Sequence, residues 1–259
     1  MMQLLIDALA IPDSCLLDKP VFKKMFLDHA ELDVTERKAL SEDVSRIRWL
    51  YTLKPDTINI SPYQDSEREF LEIAVLAISL SNPSRVRRIA SLMHRAIPYP
   101  LILIFEDGKR ACISTADKRI NQADKSKLVI EDRWLTDWMD VSAPTQAQRS
   151  FLEALAFTKL PSTNFYALYQ AYQALVIAII AAERSGAFQA IHITAYKRQG
   201  AALRKIEGLE REIGEHKAQL RRETQMAAKI ALNSAIRTRK DAILALTGEL
   251  SNLPDNFET

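Results

Sequence analysis

Glycine is scarce in this chain, six in 259 residues, and the six never fall into a phosphate-binding pattern. Neither G-x-G-x-x-G nor G-K-[ST] occurs, which removes the dinucleotide loop and the P-loop, and without G-x-S-x-G there is no serine elbow. Two cysteines, Cys15 and Cys112, lie too far apart in sequence to suggest a disulfide framework or a four-cysteine zinc site, and their scarcity fits a reducing cytoplasm. The histidines, His29, His94, His192 and His216, have no second histidine or cysteine three or four residues away, so zinc spacing is missing too. Hydrophobic runs are short: Ala174 to Ala182 is the longest, and nine residues are too few where a bilayer needs about 20. Met1 to Ala10 is apolar but carries Asp7 and no basic flank, so it reads as folded structure rather than a signal peptide. These absences point to a cytoplasmic protein with no metal and no cofactor.

What is present is charge, unevenly placed. With 47% hydrophobic and 26% charged residues the chain suits a soluble protein of one or two domains. From about Ala195 to Leu253 it reads as one long helix with no proline until Pro254. Between Tyr196 and Thr247 twelve Lys and Arg face six acids, so this arm carries 12 − 6 = +6 and the rest of the chain 2 − 6 = −4. Ile206, Leu209, Ile213, His216, Leu220, Glu223, Ala227 and Ile230 keep the alternating spacing of three and four that a seam requires, whereas Leu232, Ile236, Ile243, Leu246, Leu250 and Leu253 follow another phase. The slip near 230–236 predicts a kink or a change of packing partner, and polar seam residues predict antiparallel packing on the preceding helix or an irregular dimer.

The rest divides by period. Lys19 to His29 and a segment opening at Thr35 read as helices, Ile47 to Leu53 and Thr57 to Ile60 as strands around Lys54-Pro55-Asp56, and Phe70 to Leu80 as an interior strand. Asn82-Pro83-Ser84 opens a helix to Ala96; Leu101 to Phe105 and Arg110 to Ala116 pair across Asp107-Gly108; Lys127 to Glu131 adds a strand and Asp132 to Met139 a short helix. Gln146 to Phe157 and Phe165 to Arg184 are helical. The fold class expected is α+β: a small mixed sheet with a crossover helix over residues 1–141, a helical region over 145–190, and a long basic coiled-coil-like helix over 191–254.

Two constellations carry chemistry. Asp56, Glu72 (or Glu69) and Lys109 could form the two-acid and acid-x-Lys pattern of a restriction-type metal-dependent nuclease, but Asp107-Gly108 in that frame is the standard two-residue hairpin signal, which favours Lys109 as the start of a strand over a metal-site lysine. Arg85, Arg87, Arg88 and Arg95 on the crossover helix, Lys118 and Arg119 after the hairpin, and Arg221 and Arg222 on the arm could meet phosphates or an acidic partner.

The segments Trp49 to Ile60, Glu72-Ile73, Ala96 to Phe105 and Ala116 to Arg119 resemble a bacterial domain-of-unknown-function family, number 4391 (DUF4391), over about residues 10 to 250, with Thr57-Ile58-Asn59-Ile60 and Ile97-Pro98-Tyr99-Pro100 as the most specific pieces. The resemblance implies a setting beside helicases and DNA methyltransferases in restriction-modification or phage-defence clusters, and it carries over no catalytic residue. The expectation is a non-enzymatic accessory subunit that makes protein-protein contacts with a larger helicase, nuclease or methyltransferase, DNA binding being a further contact. A metal-dependent nuclease and a homodimer joined through the C-terminal helix are the alternatives.

Overall fold

A computed structural model describes residues 2–251 apart from 126, 141, 187 and 190–192; His192, Leu253 and Pro254 lie outside the described residues. In chain order the elements are α1 (Gln3–Leu9), β1 (Leu16–Pro20), α2 (Lys23–His29), α3 (Val34–Lys38), β2 (Val44–Leu53), the single turn α4 (Pro55–Ile58), the small hairpin β3 (Tyr63–Gln64) and β4 (Glu69–Phe70), and β5 (Ile73–Leu80). Then come α5 (Val86–Ala96), β6 (Leu101–Glu106), β7 (Arg110–Ile120), β8 (Leu128–Leu135), β9 (Met139–Asp140), α6 (Gln146–Ala154), α7 (Phe165–Ser185), α8 (Ile193–Arg222) and α9 (Met226–Ser251). The main sheet runs β1-β2-β5-β6-β7-β8, with β9 also on β7. Only β5 and β6 are parallel, and α5 makes the crossover between them. The mixed sheet, crossover helix and long C-terminal helix of the expected fold class are all present.

Helices cover both faces of the sheet, which is why its central strands are apolar on both sides. On β5, Ile73, Val75 and Ala77 face α1, α6, α7 and α8, while Ala74, Leu76 and Ile78 face α5 and α2. Along α5 the residues Val86, Ile89, Ala90 and Met93 are buried and Arg87, Arg88 and Arg95 are not. α7 is long and apolar enough to cross a membrane by length and composition, yet most of it is buried in this fold as the helix laid on the sheet.

One irregularity shapes the centre of the sheet. The β6–β7 ladder ends at the pair Leu103 and Ser114. In the same register Leu101 would face Ala116, but here the hydroxyl of Tyr169, from α7, stands between them. It lies 2.8 Å from Leu101 O and 3.0 Å from Ala116 O and accepts the Ala116 N–H at 3.1 Å. From the other face Lys118 Nζ donates to Ile97 O at 2.6 Å and Tyr99 O at 2.7 Å. Two side chains thus satisfy backbone groups that the diverging strands leave without ladder partners.

Several sequence expectations change. Thr57 to Ile60 is no strand: Pro55 starts a helical turn, the Thr57 hydroxyl accepts the Lys54 N–H, and Asn59 ends the turn at φ 53. Asp132 to Met139 is not a helix, because β8 runs on to Leu135 with Trp134 opposite Thr115 and Met139 begins β9. Lys19 and Pro20 belong to the edge strand β1, so that helix starts only at Lys23. The helix read as unbroken from Ala195 is two helices, α8 of 30 residues and α9 of 26.

Tyr169→Phe removes only the bridging hydroxyl and leaves the buried Ala116 N–H and Leu101 O unpartnered. The expected cost is about 1–3 kcal/mol, read as a lower urea midpoint with an unchanged denaturant slope.

Candidate functional site

The C-terminal helices form a hairpin that starts in the core and leaves it. Near its base, Leu203 and Ile206 are buried, and the Gln170 amide donates to the Tyr196 hydroxyl at 3.3 Å. Farther on, Arg184 at the end of α7 forms a two-pronged ion pair with Glu210, at 2.7 and 3.1 Å. Both contacts join residues 26 apart, so α8 runs parallel to α7, not antiparallel as its polar seam suggested. Gly200 allows the approach: a Cβ there would stand 2.9 Å from the Trp134 ring. The Arg204 guanidinium lies 5.8 Å from the centre of that ring and pairs with Asp132.

Beyond Glu210 the twelve residues to Arg222 have no more of α7 beside them, a projection of roughly 18 Å at 1.5 Å per residue. The chain then reverses at Glu223-Thr224-Gln225. Glu223 Oε1 accepts the N–H groups of Thr224 at 2.7 Å and Gln225 at 2.8 Å, and these donors hold its carboxyl below the usual carboxylate range. Arg221 and Arg222 meet the negative end of α8 while Glu223 meets the positive end of α9, an arrangement favoured at both helix termini. α9 returns against α8, with Glu212 paired to Arg239 at 2.6 Å and Ile213 and Ile236 buried, and Leu250 is buried again at the body. Met226 and Ile230, one turn apart on α9, stay 73% and 63% exposed near the reversal.

Three of the six acids between Tyr196 and Thr247 help hold the hairpin in place, and most of its bases do not. Glu207 lies 3.9 Å from Arg87, Glu210 binds Arg184, and Glu212 binds Arg239. Of the twelve Lys and Arg between Tyr196 and Thr247, only Arg204 and Arg239 form ion pairs among the described residues.

The other basic candidates fare differently. Arg85 is clamped by Asp43 at 2.5 Å and Glu42 at 3.0 Å; Arg88 reaches Asp33 at 3.3 Å; Arg95 reaches Glu36 at 2.8 Å. Arg119 pairs with Glu131 at 2.7 Å. Lys118 is buried and cannot meet a large partner, a correction to its reading as a surface contact. Arg133, which the sequence reading passed over, donates to Ser91 Oγ at 2.7 Å, and its guanidinium is held below its ordinary range by burial and then by Arg87 and Arg95. Arg87, Arg95 and Arg133 therefore form a positive cluster across α5 and β8.

The nuclease trio is not assembled. Asp56 lies in α4 beside the end of β2, and Glu72 precedes β5 with Lys54 at 3.5 Å. Ile73 and Leu53 are register partners, so both acids sit at the end of the sheet where β6 begins. Lys109 follows the far end of β6, six residues or roughly 20 Å away at about 3.3 Å each. There Asp107 Oδ1 accepts the N–H groups of Lys109 and Arg110 and Gly108 has φ 90, which is the hairpin. Glu69 bonds Gln64 in the small hairpin, and no group of three metal-ligating side chains converges among the described residues. A polar cavity of about 160 Å³ between β7, β8, α7 and α8 is closed by its own ions, with Arg68 spending its guanidinium on Asp117, Glu131 and the Lys118 carbonyl. Arg68 and Gly200 were missed in the sequence; a glycine inside an otherwise charged helical run is a signal of close approach that could have marked the latter.

Fold and surface together define an α/β/α sandwich that carries a projecting basic helical hairpin. The chain belongs to the family described as a domain of unknown function (DUF4391), which it matches over residues 9–243. No curated protein and no solved structure matches it.

Gly200→Leu is expected to lower stability by about 1–3 kcal/mol, as overpacking does, and to loosen the base of the hairpin in hydrogen exchange. Lys118 gives a pH signature: burial pushes its amine down to about 7 from 10.5, so the unfolded chain binds the extra proton between those values and stability rises with pH there. Wild type minus Lys118→Met should therefore gain up to about 1.4 kcal/mol per pH unit from pH 7.5 to 9.5 in urea titrations.

Proposed function

We propose that the chain is a non-enzymatic accessory subunit of a bacterial DNA-transaction system of the restriction or phage-defence kind, docking through its α8–α9 hairpin on a larger helicase, nuclease or methyltransferase. The observation that carries this reading is the outer half of the hairpin, where Met226 and Ile230 form an exposed one-turn apolar pair on a segment whose Lys and Arg, apart from Arg204 and Arg239, form no ion pair among the described residues. Apolar anchors at i and i+4 on a helix are a common way to fill a groove on a partner, and the surrounding charge selects an acidic rim. The family resemblance supports the setting, and an accessory role is supported by the finding that no group of three metal-ligating side chains converges among the described residues.

DNA contact is a second reading, favoured by the Arg87, Arg95 and Arg133 cluster. Phosphate would relieve the mutual repulsion of these guanidiniums, and such binding falls steeply with salt. A homodimer through the hairpin is the third, because the same apolar pair could meet its own copy.

Capture from the native host, with and without nuclease treatment, separates these readings. A partner protein should be retained after nuclease treatment and lost in the Met226→Ser, Ile230→Ser double variant, whose fold is expected to persist because both side chains face solvent. A full-length chain that captures neither protein nor DNA sinks the docking reading. Light scattering checks the dimer: only that reading expects the double variant to halve the molecular mass.

A further inference from the structure

The opening between β6 and β7 leaves a cleft of about 530 Å³ at the C-terminal end of α5, lined by His94, Arg95, Ile97, Lys118, Lys127 and Val129 among others. The side chains that could charge it, Arg95, Lys118 and Lys127, are all basic, and Arg133 of β8 adds to the field felt by His94.

The hydrogen-bond partners of Lys118 and His94 set what each can donate and accept. Lys118 Nζ has two acceptors among the described residues, Ile97 O and Tyr99 O. A neutral amine has two N–H groups and one lone pair, which matches two acceptors; an ammonium would turn its third N–H toward the cleft. The two carbonyls match the neutral form and leave its lone pair uncommitted. Burial acts the same way, bringing the amine to about 7. His94 is 1% exposed, and its Nδ1 has no partner among the described residues. Ser114 Oγ has one proton and gives it to Trp134 O at 2.7 Å, so His94 Nε2, 3.1 Å away, must donate to Ser114. His94 Nδ1 is then a bare acceptor. Burial, with the charge of Arg133 in support, keeps the ring neutral.

The geometry points to a reversible covalent binding site for a small 2-oxo acid, with Lys118 forming an imine to the carbonyl carbon and Arg95 and Lys127 receiving the carboxylate. The Lys118 lone pair attacks the carbonyl carbon and the π pair moves to oxygen, giving a carbinolamine. Both amine protons pass to that oxygen, which leaves as water while the C=N bond forms, so the Ile97 and Tyr99 carbonyls give up their Lys118 donors in the adduct, and nothing is oxidised or reduced. Solvent entering the cleft carries the proton from nitrogen to oxygen. The carboxylate would compete with the present partners, Glu36 for Arg95 and Asp124 for Lys127. A cleft lined by cations therefore favours an anionic carbonyl compound over a neutral one.

The test uses the full chain, glyoxylate as the probe and sodium cyanoborohydride as the trap, with peptide mapping by mass spectrometry. At pH 7.5 the carboxymethyl adduct should appear on Lys118 at least tenfold faster than on any exposed lysine. Its rate should fall as pH drops below 7, where the amine becomes protonated. Acetaldehyde, which lacks the carboxylate, should label Lys118 more slowly. Lys118 left unlabelled while exposed lysines react would mean that it only clamps the Ile97 and Tyr99 carbonyls, and the proposal would be overturned. Equal rates with acetaldehyde would overturn the 2-oxo acid assignment. Because the wild-type chain is read directly, neither outcome depends on a variant folding.

Discussion

The interaction on which the rest of this structure depends is the wedge at the open end of the β6–β7 pair. Two antiparallel strands that separate within a buried sheet expose carbonyl and N–H groups whose desolvation is costly unless another donor or acceptor meets them. Tyr169 from α7 meets them on one face and Lys118 from β7 on the other. The first contact fixes where α7 lies on the sheet, and the position of α7 fixes α8 through Tyr196, Ile177 beside Gly200, and Glu210. The second ties the Ile97-Pro98-Tyr99-Pro100 segment to β7 and so sets the end of the crossover. The hairpin outside and the cleft inside are both consequences of how that gap is filled.

Much of the sheet was legible because its signals are local. Asp107-Gly108 marks a turn whose glycine takes positive φ, Asn82-Pro83-Ser84 marks a helix start, and the apolar stretch ending at Leu80 lies where both sheet faces are covered. Errors arose where two periods coexist in a short window. Trp134 and Trp138 are spaced as on one helix face, yet Trp134 alternates with Arg133 and Leu135 across β8, and only long-range pairing with β7 decides between the two patterns. The Lys54-Pro55-Asp56-Thr57 turn was misread because Thr57 has strand propensity while its hydroxyl makes a cap.

The reversal at Glu223 was hidden for a related reason. Helix ends usually announce themselves through glycine or proline, and neither is present between Gly214 and Gly248. Charge does that work here: Arg221 and Arg222 suit a C-terminus, and Glu223 suits the next N-terminus. The phase change in the apolar pattern was visible, but it lies in α9 rather than at the turn, since each half of the seam follows its own partner. The basic candidates show the limit of composition. Arg85 and Arg119 are equivalent to Arg221 and Arg222 as sequence, and only the fold shows that the first two are neutralised by Asp43 and Glu131.

The separation of charge along the hairpin bears on how it can act at a distance. Glu207 and Glu210 lie near the base, where they bind Arg87 and Arg184, and from Arg211 to Ile230 five Lys and Arg stand against three acids, so the excess of positive charge lies toward the reversal. The rest of the chain carries about −4 against +6 on this segment, and in close contact the two would largely cancel. The tip extends by roughly 18 Å, whereas fields decay over about 8 Å at physiological salt. A positive tip two screening lengths from an acidic body keeps its own field, which draws an acidic surface toward Met226 and Ile230 without holding the hairpin down against its own domain. Projection, and not net charge alone, therefore makes the basic character of this segment available to a partner.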